Sequence, residues 1–229
     1  MEGHIRLVPS LTEDPMSQKL TIVARKNGPY LVTNCQMLKG FADGRVYDTA
    51  GTVALCRCGG TSNKPFCDGT HNRIGFTDEK AADRVADTRE NYVGVGVTIH
   101  DNRGICAHAA RCTEGLASVF RLGTEPWIDP NGADAEAVIA IIKQCPSGAL
   151  SYSVDGVEHR DRGGNPMILI APNGPYAFFG GADLQDVTWA EGASKEHFDL
   201  CRCGHSKNKP FCDGAHWSHP FDDAQKPAD

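Results

Sequence analysis

Two distant segments of this chain repeat one another in order and nearly in spacing, so the sequence must build the same small unit twice. In the first, Ile22-Val23-Ala24 leads into Asn27-Gly28-Pro29-Tyr30. Cys56-Arg57-Cys58-Gly59 begins 29 positions after Asn27, followed by Thr61 and the run Asn63-Lys64-Pro65-Phe66-Cys67-Asp68-Gly69-Thr70-His71. In the second, Ile168-Leu169-Ile170 leads into Asn173-Gly174-Pro175-Tyr176. Cys201-Arg202-Cys203-Gly204 begins 28 positions after Asn173, followed by Ser206 and Asn208-Lys209-Pro210-Phe211-Cys212-Asp213-Gly214-Ala215-His216. In each copy a β-branched, apolar run precedes an Asn-Gly-Pro turn, and a second strand-like run follows at 30–33 or 176–179. Each copy therefore reads as mostly β, with the Asp-Gly-x-His stretch as a turn opening a short helix.

The pattern C-x-C-x8-C-x3-H occurs in both copies, with Pro two residues before the third cysteine. Thiolates suit soft or borderline metals, and the two cysteines of C-x-C lie close enough to share one metal atom. Cys67 and His71, or Cys212 and His216, stand four apart at the start of a helical turn and can share a second. Three cysteines and a histidine are also a tetrahedral zinc set, and structural zinc is the competing expectation. Zinc knuckles, however, usually use C-x2-C or wider spacing. A helix N-terminus beside the third cysteine offers N–H groups to an anionic cluster. The nearby glycines would let backbone approach it. Thr61 and Ser206 are candidates to hydrogen-bond the cluster, a plain turn-forming role being the other reading.

Both segments resemble the CDGSH iron-sulfur domain, the mitoNEET-type family, whose pattern C-x-C-x2-[ST]-x3-P-x-C-D-G-x-H each copy matches at every fixed position. The resemblance covers roughly half the chain. It implies one [2Fe-2S] cluster on Cys56, Cys58, Cys67 and His71 and another on Cys201, Cys203, Cys212 and His216. Because the family commonly pairs one-motif chains through a shared β cap, two motifs in one chain imply an internal pseudo-dimer and a monomeric protein. One neutral imidazole in place of a thiolate removes a negative charge, so reduction becomes easier and acid-labile, pH-dependent behaviour is expected.

Between the copies, Cys106, Cys112 and Cys145-Pro146 are spaced C-x5-C-x32-C-P, with Ala109 where a bacterial ferredoxin run would have its middle cysteine. With Glu125-Pro126-Trp127-Ile128, this segment resembles the divergent single-cluster ferredoxin domain. Three thiolates fit a [3Fe-4S] cluster. His108 could instead complete a [4Fe-4S] site, or serve as a hydrogen-bonded loop histidine, and a site without a cluster is the third reading.

The expected organisation is an N-terminal arm at 1–20, a first CDGSH unit at 21–76 and a charged, helix-compatible linker at 77–90. A ferredoxin-like unit at 91–160, a second CDGSH unit at 161–220 and a disordered tail at 221–229 complete it. The fold class is α+β. Within the middle unit the pattern predicts a strand over 92–100, helices over 114–120 and 133–144, and a strand over 148–154.

Composition bears on function by exclusion. A formal charge of −6 offers no basic field to nucleic acid or an anionic membrane. The longest apolar runs, 138–142 and 167–171, fall far short of the ~18 residues of a membrane span. The first ten residues lack a secretory or transit pattern, so a cytoplasmic protein is expected, in which ten cysteines serve metal better than disulfides. Cys35 has no counterpart in the second copy, where Gly181 or Ala182 falls, and reads as a free thiol. His100, His197, His205 and His219 lack ligand spacing and read as surface or hydrogen-bonding residues, and His4 and His159 carry no signal. Trp127, Trp189 and Trp217 read as packing residues, with Trp217 a candidate to shield the second cluster. The expectation is an electron carrier with a redox protein as partner, docking through a basic face, and no catalysis of its own. Cluster transfer or redox and pH sensing is the alternative, and a zinc-stabilised interaction module the third.

Overall fold

The computed structural model describes residues 19–219 and 221–224. The expected arm up to residue 18, with His4, and the tail from residue 225 lie outside the described residues. Among the described residues, three four-stranded sheets carry the fold, with three short α-helices, so the chain is built mainly of small β units.

The first copy supplies β1 (Thr21–Ala24), β2 (Tyr30–Thr33), β3 (Leu38–Gly40) and β4 (Thr52–Leu55). The second supplies β9 (Met167–Ile170), β10 (Tyr176–Phe179), β11 (Asp183–Gln185) and β12 (Phe198–Leu200). Their strand pairs follow the turn chemistry of the sequence: Asn27 and Asn173 both take positive φ, at 49° and 48°, ahead of Gly-Pro. The third strands are exchanged. β11 pairs parallel with β1, completing the order β11-β1-β2-β4, and β3 pairs parallel with β9, completing β12-β10-β9-β3. Each copy thus closes the other's sheet, and each sheet covers an edge that would otherwise present unpaired N–H and C=O groups.

The faces between these sheets bury Ile22, Tyr30, Val32, Leu38 and Leu55 of the first copy against Ile168, Tyr176, Phe178, Phe198 and Leu200 of the second. Cys35 is buried there as a free thiol, and burial pushes its pKa up. Trp189 packs on Phe198 and Phe211, as a core tryptophan should.

The intervening segment forms the antiparallel sheet β5-β6-β7-β8, from β5 (Glu90–Val93), β6 (Thr98–Asp101), β7 (Leu150–Val154) and β8 (Val157–His159). Helix α3 (Ala135–Ile142) is capped by Asp134, whose Oδ1 accepts from the Ala137 N–H at 2.8 Å, and buries Val138 and Ile142. The strand over 148–154 and the helix over 133–144 appear at these places. The strand over 92–100 does not: Gly96, at φ +79°, turns the chain, and a hairpin with Val93 opposite Thr98 replaces one long strand. The helix expected over 114–120 lies earlier, as α2 (Arg111–Gly115). Gly115 permits the close packing of α2 on α3, because a Cβ there would stand 2.7 Å from Ile141 Cδ1.

Residues 77–90 form no helix. The stretch has no apolar stripe to bury, and its backbone is instead tied to the second copy by Ala81 N–H to Lys207 O at 2.8 Å. The tail is also ordered at its start. Arg202 reaches Asp223 with two nitrogens, and the Asp223 N–H donates to Asn173 Oδ1 at 2.9 Å. Asp78 makes the matching bonds to Arg57 and Asn27 in the first copy, so the repeat extends past both histidines.

Candidate metal centres

Each C-x-C lies on the turn after the last strand of its copy. Cys56 and Cys58 place their Sγ atoms 3.8 Å apart, and Cys201 and Cys203 repeat that distance. Asp68 accepts hydrogen bonds from the Ser62 and Thr70 N–H groups, and Asp213 from those of Lys207 and Ala215, fixing the Asp-Gly turn in both copies. The turn opens helix α1 (Thr70–Arg73) in the first copy and a 3-10 turn (Ala215–Trp217) in the second. It brings Cys67 Sγ to 3.4 Å from His71 Nδ1 and Cys212 Sγ to 3.5 Å from His216 Nδ1.

These distances test the donor sets. Two sulfurs on one tetrahedral metal at bonds of ~2.3 Å stand ~3.8 Å apart, and a sulfur and a nitrogen ~3.5 Å. Each Cys-Cys pair and each Cys-His pair therefore fits one metal atom. Among the described residues, the group of three or more such side chains whose donor atoms all lie within 4.8 Å of one another is Asp161, Glu196 and His197. Neither cysteine-histidine set closes around a single ion, which is what structural zinc requires. The donors divide two and two.

The electrostatics agree. Hydrogen bonding to Cys58 lowers the Cys56 pKa while the Cys58 pKa rises, and Cys201 and Cys203 divide the same way. Burial raises Cys67 and Cys212, so the six thiolates of the two sites call for metal charge beside them. Backbone donors point at the sulfurs, with Gly69 N–H 3.4 Å from Cys67 Sγ and His205 N–H 3.5 Å from Cys203 Sγ.

The two centres lie back to back. A Cβ on Gly59 would meet Cys203 O at 2.5 Å, and one on Gly204 would meet Cys58 O at 2.5 Å. The Tyr30 hydroxyl faces Cys201 O at 2.9 Å and Pro210 O at 3.0 Å, and the Tyr176 hydroxyl donates to Pro65 O at 2.9 Å. Arg57 and Arg202, each between two candidate ligands, are 3% exposed and lie over the Tyr30 and Tyr176 rings. Sequence reasoning passed over these tyrosines and arginines, although their recurrence in both copies was the available signal. The Thr61 and Ser206 hydroxyls bind backbone instead of sulfur, donating to Phe66 O and Phe211 O at 2.7 Å, the turn-forming role.

In the middle unit, Cys106 follows a 3-10 turn (Arg103–Ile105), Cys112 lies in α2 and Cys145 follows α3. All three line a cavity of about 190 Å³ together with His108, Ala109 and Pro146. Burial, with Cys145 nearby, pushes the Cys106 thiol up to about 12. His108 has φ +55°, and its ring packs on the second copy, where a Cβ on Gly214 would stand 2.6 Å from its Cδ2. The Trp217 indole N–H donates to His108 O at 3.2 Å. Trp217 is 71% exposed with its ring beside His216, so it is a bridge to the middle unit and not a buried packing residue. Trp127 stacks under Arg103 at 3.8 Å.

The remaining histidines among the described residues are hydrogen-bonded or stacked. His100 bonds Asn91 and Ser153, His197 bonds Ser194 and Glu196, and His205 stacks on His219. The Asp161, Glu196 and His197 group is already knit together through Ser194.

Comparison with known families matches residues 27–72 and 173–217 to the iron-binding zinc finger of CDGSH type, and residues 92–155 to the divergent 4Fe-4S mono-cluster domain. The chain belongs to the CDGSH iron-binding family. In this CDGSH protein the two repeats flank the mono-cluster domain, the arrangement that the motifs imply. The uncharacterized protein YjdI of Escherichia coli, in strains K12 and O157:H7, is 39% identical to it over 61 residues, 27% of this chain and 80% of the relative. No solved structure matches the chain. Among the described residues no helix is long and apolar enough to cross a membrane.

Proposed function

We propose that this CDGSH protein is a multi-cluster electron carrier, with one [2Fe-2S] cluster on Cys56, Cys58, Cys67 and His71 and another on Cys201, Cys203, Cys212 and His216. The observation that carries the reading is the two-and-two division of donor atoms in each copy, which fits a binuclear site and not one zinc ion. Such clusters supply one-electron exchange with little rearrangement of their ligands. The chain's part is to hold the thiolates, aim backbone N–H groups at them and exclude water from Cys56 and Cys201, which are 2% and 1% exposed. The imidazoles turn Nδ1 toward sulfur, which leaves Nε2 as the atom that exchanges a proton.

The two CDGSH copies act as the halves of an internal pseudo-dimer, a reading supported by the strand exchange and by the reciprocal contacts of Gly59 and Gly204. A third cluster belongs on Cys106, Cys112 and Cys145. The packing of His108 on Gly214 favours three ligands and [3Fe-4S], whereas the mono-cluster family match favours [4Fe-4S] with His108 or solvent as the fourth. The protein works as a monomer in the cytoplasm with a redox protein as partner and no reaction of its own.

Anaerobic iron and sulfide analysis with EPR before and after reduction tests this. The expected result is about two irons and two sulfides per repeat with a reduced spin-half signal. Bound zinc without sulfide would overturn it. Rapid loss of clusters to an apo-ferredoxin would replace the carrier reading with cluster transfer.

A further inference from the structure

A cavity of about 350 Å³ lies between the middle unit and the second repeat, in the size range of small-molecule sites. Its floor is the outer face of the sheet built on β9, β10 and β12, where Leu169 pairs with Ala177 and Ala177 pairs with Asp199. Ala109 and Pro146 of the middle unit, Phe179 and the candidate ligand His216 complete the walls.

Asp199 is out of place on this surface. It is 2% exposed, and no hydrogen bond reaches its Oδ1. The first copy builds the matching row as Val23, Leu31 and Ala54, and the Ala54 carbonyl accepts from Cys67 N–H as the Asp199 carbonyl accepts from Cys212 N–H. The fold therefore uses the backbone at this position and has no need of a carboxylate, while an unpaired buried acid is costly. Arg162 lines the same cavity. Two of its nitrogens donate to Lys143 O and Cys145 O, and its buried Nε has no partner. Asp199 and Arg162, each with a buried polar atom that no hydrogen bond reaches, thus line one largely apolar chamber.

We propose that this cavity binds a small neutral hydroxyarene, of the phenol or quinol class. One hydroxyl can donate to Asp199 and accept from Arg162 at once, which neither an ammonium nor a carboxylate can do. An ammonium would be repelled by Arg162 and a carboxylate by Asp199, and the apolar walls suit a flat ring beside His216. The site stands on the cavity and its two unpaired groups, independently of the electron-carrier reading.

Titration of 2-naphthol into the full-length, cluster-loaded protein, followed by calorimetry, tests the proposal. Saturable one-to-one binding is expected, with 2-methoxynaphthalene, which cannot donate, at least ~10-fold weaker. Asp199→Ala installs the residue that the first copy already carries there, and is expected to weaken 2-naphthol by a similar factor with the visible spectrum unchanged. Leu169→Trp, which fills the chamber, is expected to abolish binding. Absence of saturable binding, equal affinity for the methyl ether, or unchanged affinity in both variants would overturn the proposal.

Discussion

Tyr30 and Tyr176 meet edge to face, their ring centroids 6.2 Å apart, and each hydroxyl reaches into the cysteine loop of the opposite copy. The two centres are therefore supported crosswise. Tyr30→Phe leaves the carbonyls of Cys201 and Pro210 without this donor and is expected to cost about 1–3 kcal/mol in chemical denaturation. Cluster decay should quicken first at the second site in Tyr30→Phe and at the first site in Tyr176→Phe. Decay confined to the copy that carries the mutation would contradict the crossed support.

Gly59 and Gly204 have φ of +78° and +86°, and each lies against a carbonyl of the other copy's C-x-C. A side chain at either meets both a strained backbone and a steric clash. Gly59→Ala and Gly204→Ala are each expected to lower stability by more than about 1 kcal/mol. Gly69→Ala, where a Cβ meets nothing within 4 Å, isolates the conformational part. Thermal melts of the three variants decide the matter: equal losses would mean that the close approach carries no weight.

Replacing His71 or His216 by Cys adds a negative charge to one centre. The reduction potential of that centre is expected to fall toward the roughly −400 mV of all-thiolate plant-type sites and to lose its dependence on pH. Spectroelectrochemical titration at several pH values measures both. An unshifted potential would remove the histidines from the ligand sets.

Asp101 is 4% exposed, 3.3 Å from Arg103. Burial pushes its carboxyl up to about 6, outweighing the pull of Arg103. The folded chain then binds more protons at this position than the unfolded chain between about pH 4 and 6, so this contribution to stability falls as pH rises through that window. The cost at pH 7 is on the order of 3 kcal/mol. Asp101→Asn should therefore gain in Tm on wild type between pH 5 and 7. Melting curves that stay parallel across that range would remove Asp101 as the cause.

The repeated motif made the candidate ligands readable because metal chemistry fixes residue type and spacing together, and the Asn-Gly-Pro turns marked strands at Tyr30–Thr33 and Tyr176–Phe179. The exchanged strands were not readable. Leu38–Gly40 and Asp183–Gln185 are three residues each, too short for periodicity, and their parallel partners lie far away in sequence. In the middle unit, alternation over 92–100 masked a hairpin because Val93 and Val95 are apolar yet exposed. Nothing in the repeated motif singles out Asp199. Its isolation shows only when Ala54, its counterpart, is set beside it in three dimensions.

The parallel pairing of Thr21–Ala24 with Asp183–Gln185 also bears on synthesis. A ribosome makes the first edge long before the residues that cover it, and the whole middle unit emerges in between. For that interval the nascent first half presents a bare β edge to every neighbouring chain, so this protein has most to gain from chaperones before translation ends.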